Sequence, residues 1–445
     1  MLFQKFIVLA VLAAWPFVAP AAETKKPTPA AEASGRAISL ANALARTLRG
    51  SPELAAYNFE MRAAEARILQ AGVRPNPELT LDIENPAGSG QFRNGDQSQN
   101  TLTFSQLIEL GGKRAARIGE AKAGRVVIEW EYQVKRVEVL KSATLAFIDV
   151  LAAQSRLQLA EEIVKVAEEA VVLTEKRVNV GKASVVESIR TRVAVSSAKI
   201  ETEQARRAIA AARGNLAAHW GARQADFGAA KGDLENHPEG PGLATLRQRM
   251  LGNPNLARWT AEREKRETAL AREQTLARPD ITLLAGPRTF GTAPDTSFIA
   301  GFSIPLPLNN RNQGNIAEAR ENLAKLDEEK RGAESRAFAA LNDAYQKLMA
   351  VSEEIHILES SILPSAAEAE RQLNQGYAAG GFTLLEVLDA RRTLNSARVQ
   401  QLRAHADFQK VRAEIDALTA QPVELPRPLS VTKPIPIRTG PAKSR

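Results

Sequence analysis

The sequence predicts a mainly α protein with a small β part, built as a tandem repeat, and three observations carry that reading. Blocks of residues recur at an offset near 200. The stretch from Lys113 to about Val180 holds no Pro, and its two glycines, Gly119 and Gly124, lie close to its start. Four short segments alternate apolar and polar residues with period two.

The repeat is visible residue by residue. Ser51-Pro52-Glu53-Leu54 recurs as Asn253-Pro254-Asn255-Leu256, and Arg74-Pro75 as Arg278-Pro279. Glu109-Leu110-Gly111-Gly112-Lys113-Arg114 has its counterpart in Pro307-Leu308-Asn309-Asn310-Arg311-Asn312. Gly181 to Ala198 matches Gly380 to Ala397, with Val186-Glu187 answering Leu385-Glu386. A Gly- and Pro-rich join, residues 221–242, separates a first repeat at 38–220 from a second at 243–420. Each half is expected to run through a short helix, a medium helix ending at Ala71 or Ala277, two strands (about 76–108 and 279–306) and a long helical hairpin (113–220 and 312–420).

In the alternating segments Leu79, Leu81 and Ile83 oppose Thr80, Asp82 and Glu84, and Leu102 and Phe104 oppose Thr101, Thr103 and Ser105. Ile281 and Leu283, then Phe298, Ala300, Phe302 and Ile304, supply the rows of the second half. Asn85–Asn100 and Gly286–Asp295 read as hairpin loops. Four strands are too few to close a membrane barrel, which starts at about eight. Either the hairpins pack on a soluble partner or several chains pool their strands; three would give a closed barrel.

The first long helix would extend on the order of 100 Å at about 1.5 Å per residue. Its later part carries a seam of Leu159, Ile163, Val166, Ala170, Leu173 and Val180, with Arg177 filling one place, answered beyond Gly181 by Val186, Ile189, Val193 and Ile200. Ala344, Leu348, Val351, Ile355, Leu358 and Ile362 form the second seam, answered by Leu388, Val399 and Leu402. Pro364 should kink or break its helix.

Composition excludes several classes. There is no Cys, hence no disulfide, thiolate metal site or lipid anchor on an N-terminal Cys. The four histidines, His219, His237, His356 and His405, are scattered and predict no metal site. A formal charge of +8 is spread as Lys and Arg alternating with Glu on helix faces, which argues against a nucleic-acid partner. Residues 1–22 read as a secretory signal: Lys5, the apolar run Phe6–Ala14, and Ala19-Pro20-Ala21 as a cleavage site. A linker at 23–37 follows, and a Pro-rich basic tail occupies 421–445. No phosphate loop, HExxH or nucleophile elbow is present, so an enzyme is not expected.

The plan of strand hairpin plus long helical hairpin, written twice, resembles the TolC family of outer-membrane factors from about Ile38 to Ala420. The most specific stretches are Arg177-Val178-Asn179-Val180-Gly181-Lys182-Ala183 and Gly376-Tyr377-Ala378-Ala379-Gly380-Gly381-Phe382-Thr383-Leu384-Leu385-Glu386-Val387-Leu388-Asp389-Ala390, which resemble the family's two tip turns. Gln106 to Arg114 and Pro305 to Asn312 look like the CzcC-like branch associated with heavy-metal efflux. The resemblance implies a homotrimer without cofactor, embedded in outer-membrane lipid through a twelve-stranded transmembrane β-barrel. Coiled-coil hairpins would form an α-barrel in the periplasm, and the partners would be a periplasmic adaptor (membrane fusion protein) and an inner-membrane pump of the resistance-nodulation-division (RND) type. A drug-efflux or type I secretion duct, or a soluble periplasmic coiled-coil adaptor, are the competing readings.

The same resemblance assigns site residues. Glu386 and Asp389, on one helix face, would stack as acidic rings at the periplasmic entrance. Glu187 and Tyr377 match a hydrogen-bonded pair that holds the tip shut. Phe382 stands where the best-known pattern has an Arg, so the charged part of the gate is expected to be missing and apolar packing to replace it. Val180, Gly181, Lys182, Ala379, Gly380 and Gly381 would form the tips that dock the adaptor.

Overall fold

The computed structural model describes residues 37–291 and 295–421. The expected signal (1–22), all but the last residue of the expected linker (23–37) and all but the first of the expected tail (421–445) lie outside them.

The first half runs β1 (Ile38–Ser39), α1 (Leu40–Gly50), α2 (Pro52–Ala71), β2 (Glu78–Glu84), β3 (Gln99–Ile108), α3 (Lys113–Asn179) and α4 (Val185–Ala218). After β4 (Ala230–Lys231) in the inter-repeat join, the second half repeats the order. It runs α5 (Leu243–Met250), α6 (Pro254–Leu276), β5 (Ile281–Phe290), β6 (Thr296–Ser303), α7 (Gln313–Ile357), a π turn (Leu358–Ile362), α8 (Leu363–Ala379) and α9 (Leu384–Leu418). The repeated Ser-Pro and Asn-Pro pairs start equivalent helices. Ser51 and Asn253 accept backbone N–H groups of the first turn, and Pro52 and Pro254 sit where a missing N–H costs nothing. At 67 residues α3 is unbroken. The break expected at Pro364 is real and takes the form of the π turn, with the proline in the first turn of α8.

Strands β2, β3, β5 and β6 form one antiparallel sheet in that order. Its register puts Leu79, Leu81, Ile83, Leu102, Phe104, Leu283, Ala285, Phe298, Ala300 and Phe302 on one face. Glu78, Thr80, Asp82, Glu84, Thr101, Thr103 and Ser105 occupy the other. Among the described residues nothing packs on the apolar face: Leu79 is 69% exposed, Phe298 83% and Phe302 69%. Strand β5 is longer than its composition suggests, absorbing Gly286 and Pro287, which read as loop. The reason is a close approach of β3: a Cβ on Gly286 would lie 1.8 Å from the Leu102 carbonyl oxygen.

Where strands enter helices, the two halves use left-handed residues, Gly112 (φ 80°) and Asn312 (φ 60°), the residue types that tolerate this conformation. Around that joint Lys113 and Asp280 form a largely buried ion pair at 2.7 Å, and Asp280 also accepts the Leu110 N–H at 2.9 Å. Arg114 donates to the Gly72 carbonyl, and Arg117 pairs with Glu109. At mid-length, Ile38, Ala43, Phe147, Val150, Leu216, Phe227, Leu234 and Ala406 pack into the main apolar core, which takes in the inter-repeat join.

The first helical hairpin corrects the expected seam. Val186, Ile189, Val193 and Ile200 are not buried against α3: each is more than half exposed, and Ile189 and Val193 border an open cleft with Ile163, Val166 and Ala170. The stripe that does pack is Ser188, Thr191, Val195, Ala198, Thr202, Ala205 and Ile209, spaced alternately by three and four. Small side chains let the helices approach, and the Thr191 and Thr202 hydroxyls donate to carbonyls of their own helix, so their burial leaves no orphan donor. In the second half Leu348, Val351, Ile355 and Leu358 face α9 as expected, but they meet Ala404 and Phe408 there. Of the expected answering residues Leu388 packs at the tip with Tyr377 and Val387, Leu402 joins the main core, and Val399 is exposed, as is Ile362 of the seam itself.

Replacing Lys113 by Ala strands the Asp280 carboxylate and should cost about 3–5 kcal/mol of stability in a chemical denaturation of the purified protein, whereas a Lys113→Met, Asp280→Leu double variant should recover most of that loss. Equal stability of the single variant and the wild type would show the joint carries no such load.

Candidate functional site

The distinctive polar chemistry gathers at the end of the helical hairpins remote from the sheet. Two turns meet there, Val180–Ser184 between α3 and α4 and Gly380–Thr383 between α8 and α9. Both use a left-handed glycine, Gly181 (φ 73°) and Gly380 (φ 91°). Both helices that follow open with a capping box: Ser184 with Glu187, and Thr383 with Glu386. These glutamates are the ones the sequence repeat aligns, and the capping spacing Ser-x-x-Glu and Thr-x-x-Glu was legible, though the sequence reading assigned them other roles.

Glu187 works twice. One carboxylate oxygen accepts the Ser184 N–H at 3.4 Å; the other accepts the Tyr377 hydroxyl at 2.8 Å across the two hairpins. Tyr377 is 3% exposed, and burial first, then the Glu187 carboxylate, holds its phenol above the ordinary value, so it stays a proton donor. The sequence-predicted pair is therefore in contact.

Phe382 does occupy the turn, and its ring lies against Gly376, where a Cβ would come within 2.3 Å of it. A guanidinium nevertheless reaches the pair from the other hairpin. Arg177 stacks over the Tyr377 ring at 4.2 Å and donates to the carbonyls of Tyr377, Ala378 and Lys182. It fastens both turns at once. Sequence reasoning placed Arg177 in a coiled-coil seam, and nothing local marks it as a bridge to carbonyls about 200 residues away.

Glu386 and Asp389 are exposed and lie one turn apart on α9. They differ in freedom: Glu386 is drawn back onto Thr383, whose N–H and hydroxyl both lie 2.8 Å from one carboxylate oxygen. Those bonds hold the Glu386 carboxyl below its usual range, so it stays anionic at neutral pH. Val180 is 67% exposed, and Lys182, Ala379, Gly380 and Gly381 are exposed with it, forming the outermost surface. Behind the tip, Arg391 binds Glu370 at 2.9 Å and Arg192 binds Glu175 at 2.7 Å, tying each returning helix to the one before it. Among the described residues no three His, Asp or Glu side chains converge as a metal site would require.

The sequence model of the family "outer membrane efflux protein" matches residues 43–222 and 246–421. The cobalt-zinc-cadmium resistance protein CzcC of Cupriavidus metallidurans is 30% identical over 387 residues, covering 87% of this chain and 91% of its own. The nickel-cobalt-cadmium resistance protein NccC of Alcaligenes xylosoxydans xylosoxydans is 29% identical over 285 residues, 63% of each chain. Among solved structures, the outer membrane protein VceC of Vibrio cholerae superposes with a TM-score of 0.70 at 19% identity, covering 86% of this chain and 97% of its own.

Tyr377→Phe leaves the Glu187 carboxylate one donor short; a hydrogen bond to a charged group contributes about 1.5–3 kcal/mol, so amide exchange across residues 177–188 should quicken on the order of 10- to 100-fold. Arg177→Ala should loosen both turns together. Exchange unchanged in both variants would mean that the tip is held by its glycine turns and caps alone.

Proposed function

We propose a function from one premise: the chain belongs to the outer membrane efflux protein family. It serves as the outer-membrane exit duct of a tripartite efflux system. Residues 1–22 direct export. Three copies pool their sheets into a closed barrel of twelve strands, four from each copy, with the Leu79, Leu81, Phe298 and Phe302 face toward lipid and the Glu78, Asp82 and Glu84 face toward the bore. The α-helical hairpins hang into the periplasm. There Glu386 and Asp389 ring the entrance, and the surface around Val180, Lys182 and Ala379 to Gly381 meets an adaptor coupled to an inner-membrane pump of the RND type.

The observation that carries this reading is the four-stranded sheet itself. One face is apolar and uncovered, and its outer strands β2 and β6 each pair on one side among the described residues. In hydrocarbon only a closed barrel satisfies such edges. Divalent heavy-metal cations are the favoured cargo, because the relatives CzcC and NccC are resistance proteins for cobalt, zinc, nickel and cadmium, and the acidic groups on the bore face and at the tip attract cations. The duct is passive: the pump supplies the energy, and the tip latch of Tyr377, Glu187 and Arg177 decides when the path is open.

Two measurements test the proposal. Deleting the gene should lower the concentrations of zinc, cobalt or cadmium that the cells tolerate, with little change in tolerance of organic drugs; the reverse pattern would reassign the cargo. On the sheet, Leu81→Arg should cost about 2–4 kcal/mol if the residue meets the bilayer midplane, read as loss of trimer from outer-membrane extracts, while Thr80→Arg on the opposite face should assemble. Equal assembly of the two would remove the barrel.

A further inference from the structure

Two of the four histidines, His237 and His405, lie 168 residues apart and meet where the inter-repeat join crosses α9. His405 Nδ1 is 3.1 Å from His237 Nε2, and the rings are nearly parallel, 13° apart. On its far side, His405 Nε2 lies 3.6 Å from a Glu359 carboxylate oxygen, which also accepts a hydrogen bond from Gln401 at 3.4 Å. Glu359 belongs to the π turn. His405 is 3% exposed, and its Nε2 is buried without a hydrogen-bond partner. Three elements thus touch in a line: the join, α9 and the π turn. Elsewhere the join is fastened by Gln409, donating to the Leu234 and Asn236 carbonyls, by Gln154, bonding both the N–H and the carbonyl of Ala230, and by Asp226, ion-paired with Arg46 at 2.8 Å.

We propose that His237, His405 and Glu359 form a proton-responsive clamp that fastens the inter-repeat join to the π turn. The two ring nitrogens of His405 point to opposite sides, so His237 and Glu359 cannot share one metal ion with it; the particle that fits such a line is a proton. In one tautomer His237 Nε2–H donates to His405 Nδ1, while His405 Nε2–H faces the Glu359 carboxylate across 3.6 Å, an electrostatic contact longer than a hydrogen bond. Only one proton fits between the facing nitrogens. When both carry one, two N–H groups confront each other across the contact and the clamp opens.

The charged groups around the line act in both directions. Glu359 of the π turn and Glu235 and Asp233 of the join favour a protonated His405, and His237 opposes it; Glu162 of α3, Lys231 of the join and Arg398 of α9 line the same cleft. Burial, with His237 second, holds His405 below the ordinary histidine value. The neutral form is therefore the folded form: the clamp contributes its full stability above about pH 6.5, the unfolded histidine value, and loses it as pH falls through the lower folded value. This device is independent of what the duct carries.

The test is hydrogen exchange of the full-length protein in detergent with EDTA present, followed over the peptide 228–238 from pH 7.5 to 5, with the intrinsic rate divided out against an unstructured peptide. Protection should fall about tenfold or more for each pH unit that separates the two histidine values. In His237→Gln, at a partly exposed position, the fall in protection should be smaller, because His405 loses one of the two causes that hold it low while its burial remains. In Glu359→Gln the midpoint should move to lower pH, a shift that a merely structural contact would not produce. The same pH curve in wild type and His237→Gln, or a response that disappears in EDTA and returns with zinc, overturns the proposal, the latter in favour of a metal-held joint.

Discussion

Unpaired backbone groups along β2 and β6 are the constraint on which the rest of the molecule turns. A sheet edge in water can bond to solvent; an edge in hydrocarbon cannot, and each orphan N–H or C=O there costs several kcal/mol. The sheet also turns a continuous apolar face outward that none of the described residues covers. The described residues of a lone subunit satisfy neither demand. Neighbouring copies, as in the assembly proposed here, meet the first, and lipid meets the second.

The helical part obeys a related economy. Small and hydroxyl-bearing residues, Ser188, Thr191, Ala198, Thr202 and Ala205, face α3, while Val186, Ile189, Val193 and Ile200 remain on the surface of the single chain. Packing within the hairpin thus consumes little apolar area and leaves the larger side chains to bind something else. At the far end, Arg177 draws carbonyls of both turns to itself, so the two hairpins finish as one piece rather than as separate prongs.

Much of this was legible in the sequence, and the reasons differ by element. Period two fixed the faces of the strands, because a slip of one residue would have turned Leu79, Leu81 and Ile83 to the wrong side. The recurrence of Ser51-Pro52 as Asn253-Pro254 marked equivalent positions in the two halves, and both prove to start helices. Three features were not legible. Helix α4 carries two stripes at spacings of three and four, and periodicity alone cannot say which one its own partner takes. Gly286 and Pro287 look like loop punctuation, yet the glycine is there to admit the Leu102 carbonyl. Arg177 and the pair His237 and His405 act across distances in sequence that no local pattern encodes. The paired glutamates, Glu187 and Glu386, show the opposite failure: their capping role stood in plain view, and a longer-range role drew attention from it.

The π turn has a geometric consequence of its own. Residues 313–379 match residues 113–179 in length, but only the first of these spans is interrupted. Winding Leu358–Ile362 more loosely shifts the phase of everything beyond it, by about 100° for each residue displaced. Set around a common axis, three such chains would alternate straight staves with crooked ones. In that proposed assembly, duplication of the repeat would offer sixfold regularity, and the loosened coil would reduce it to threefold, leaving inequivalent seams where a perfectly copied chain would have identical ones.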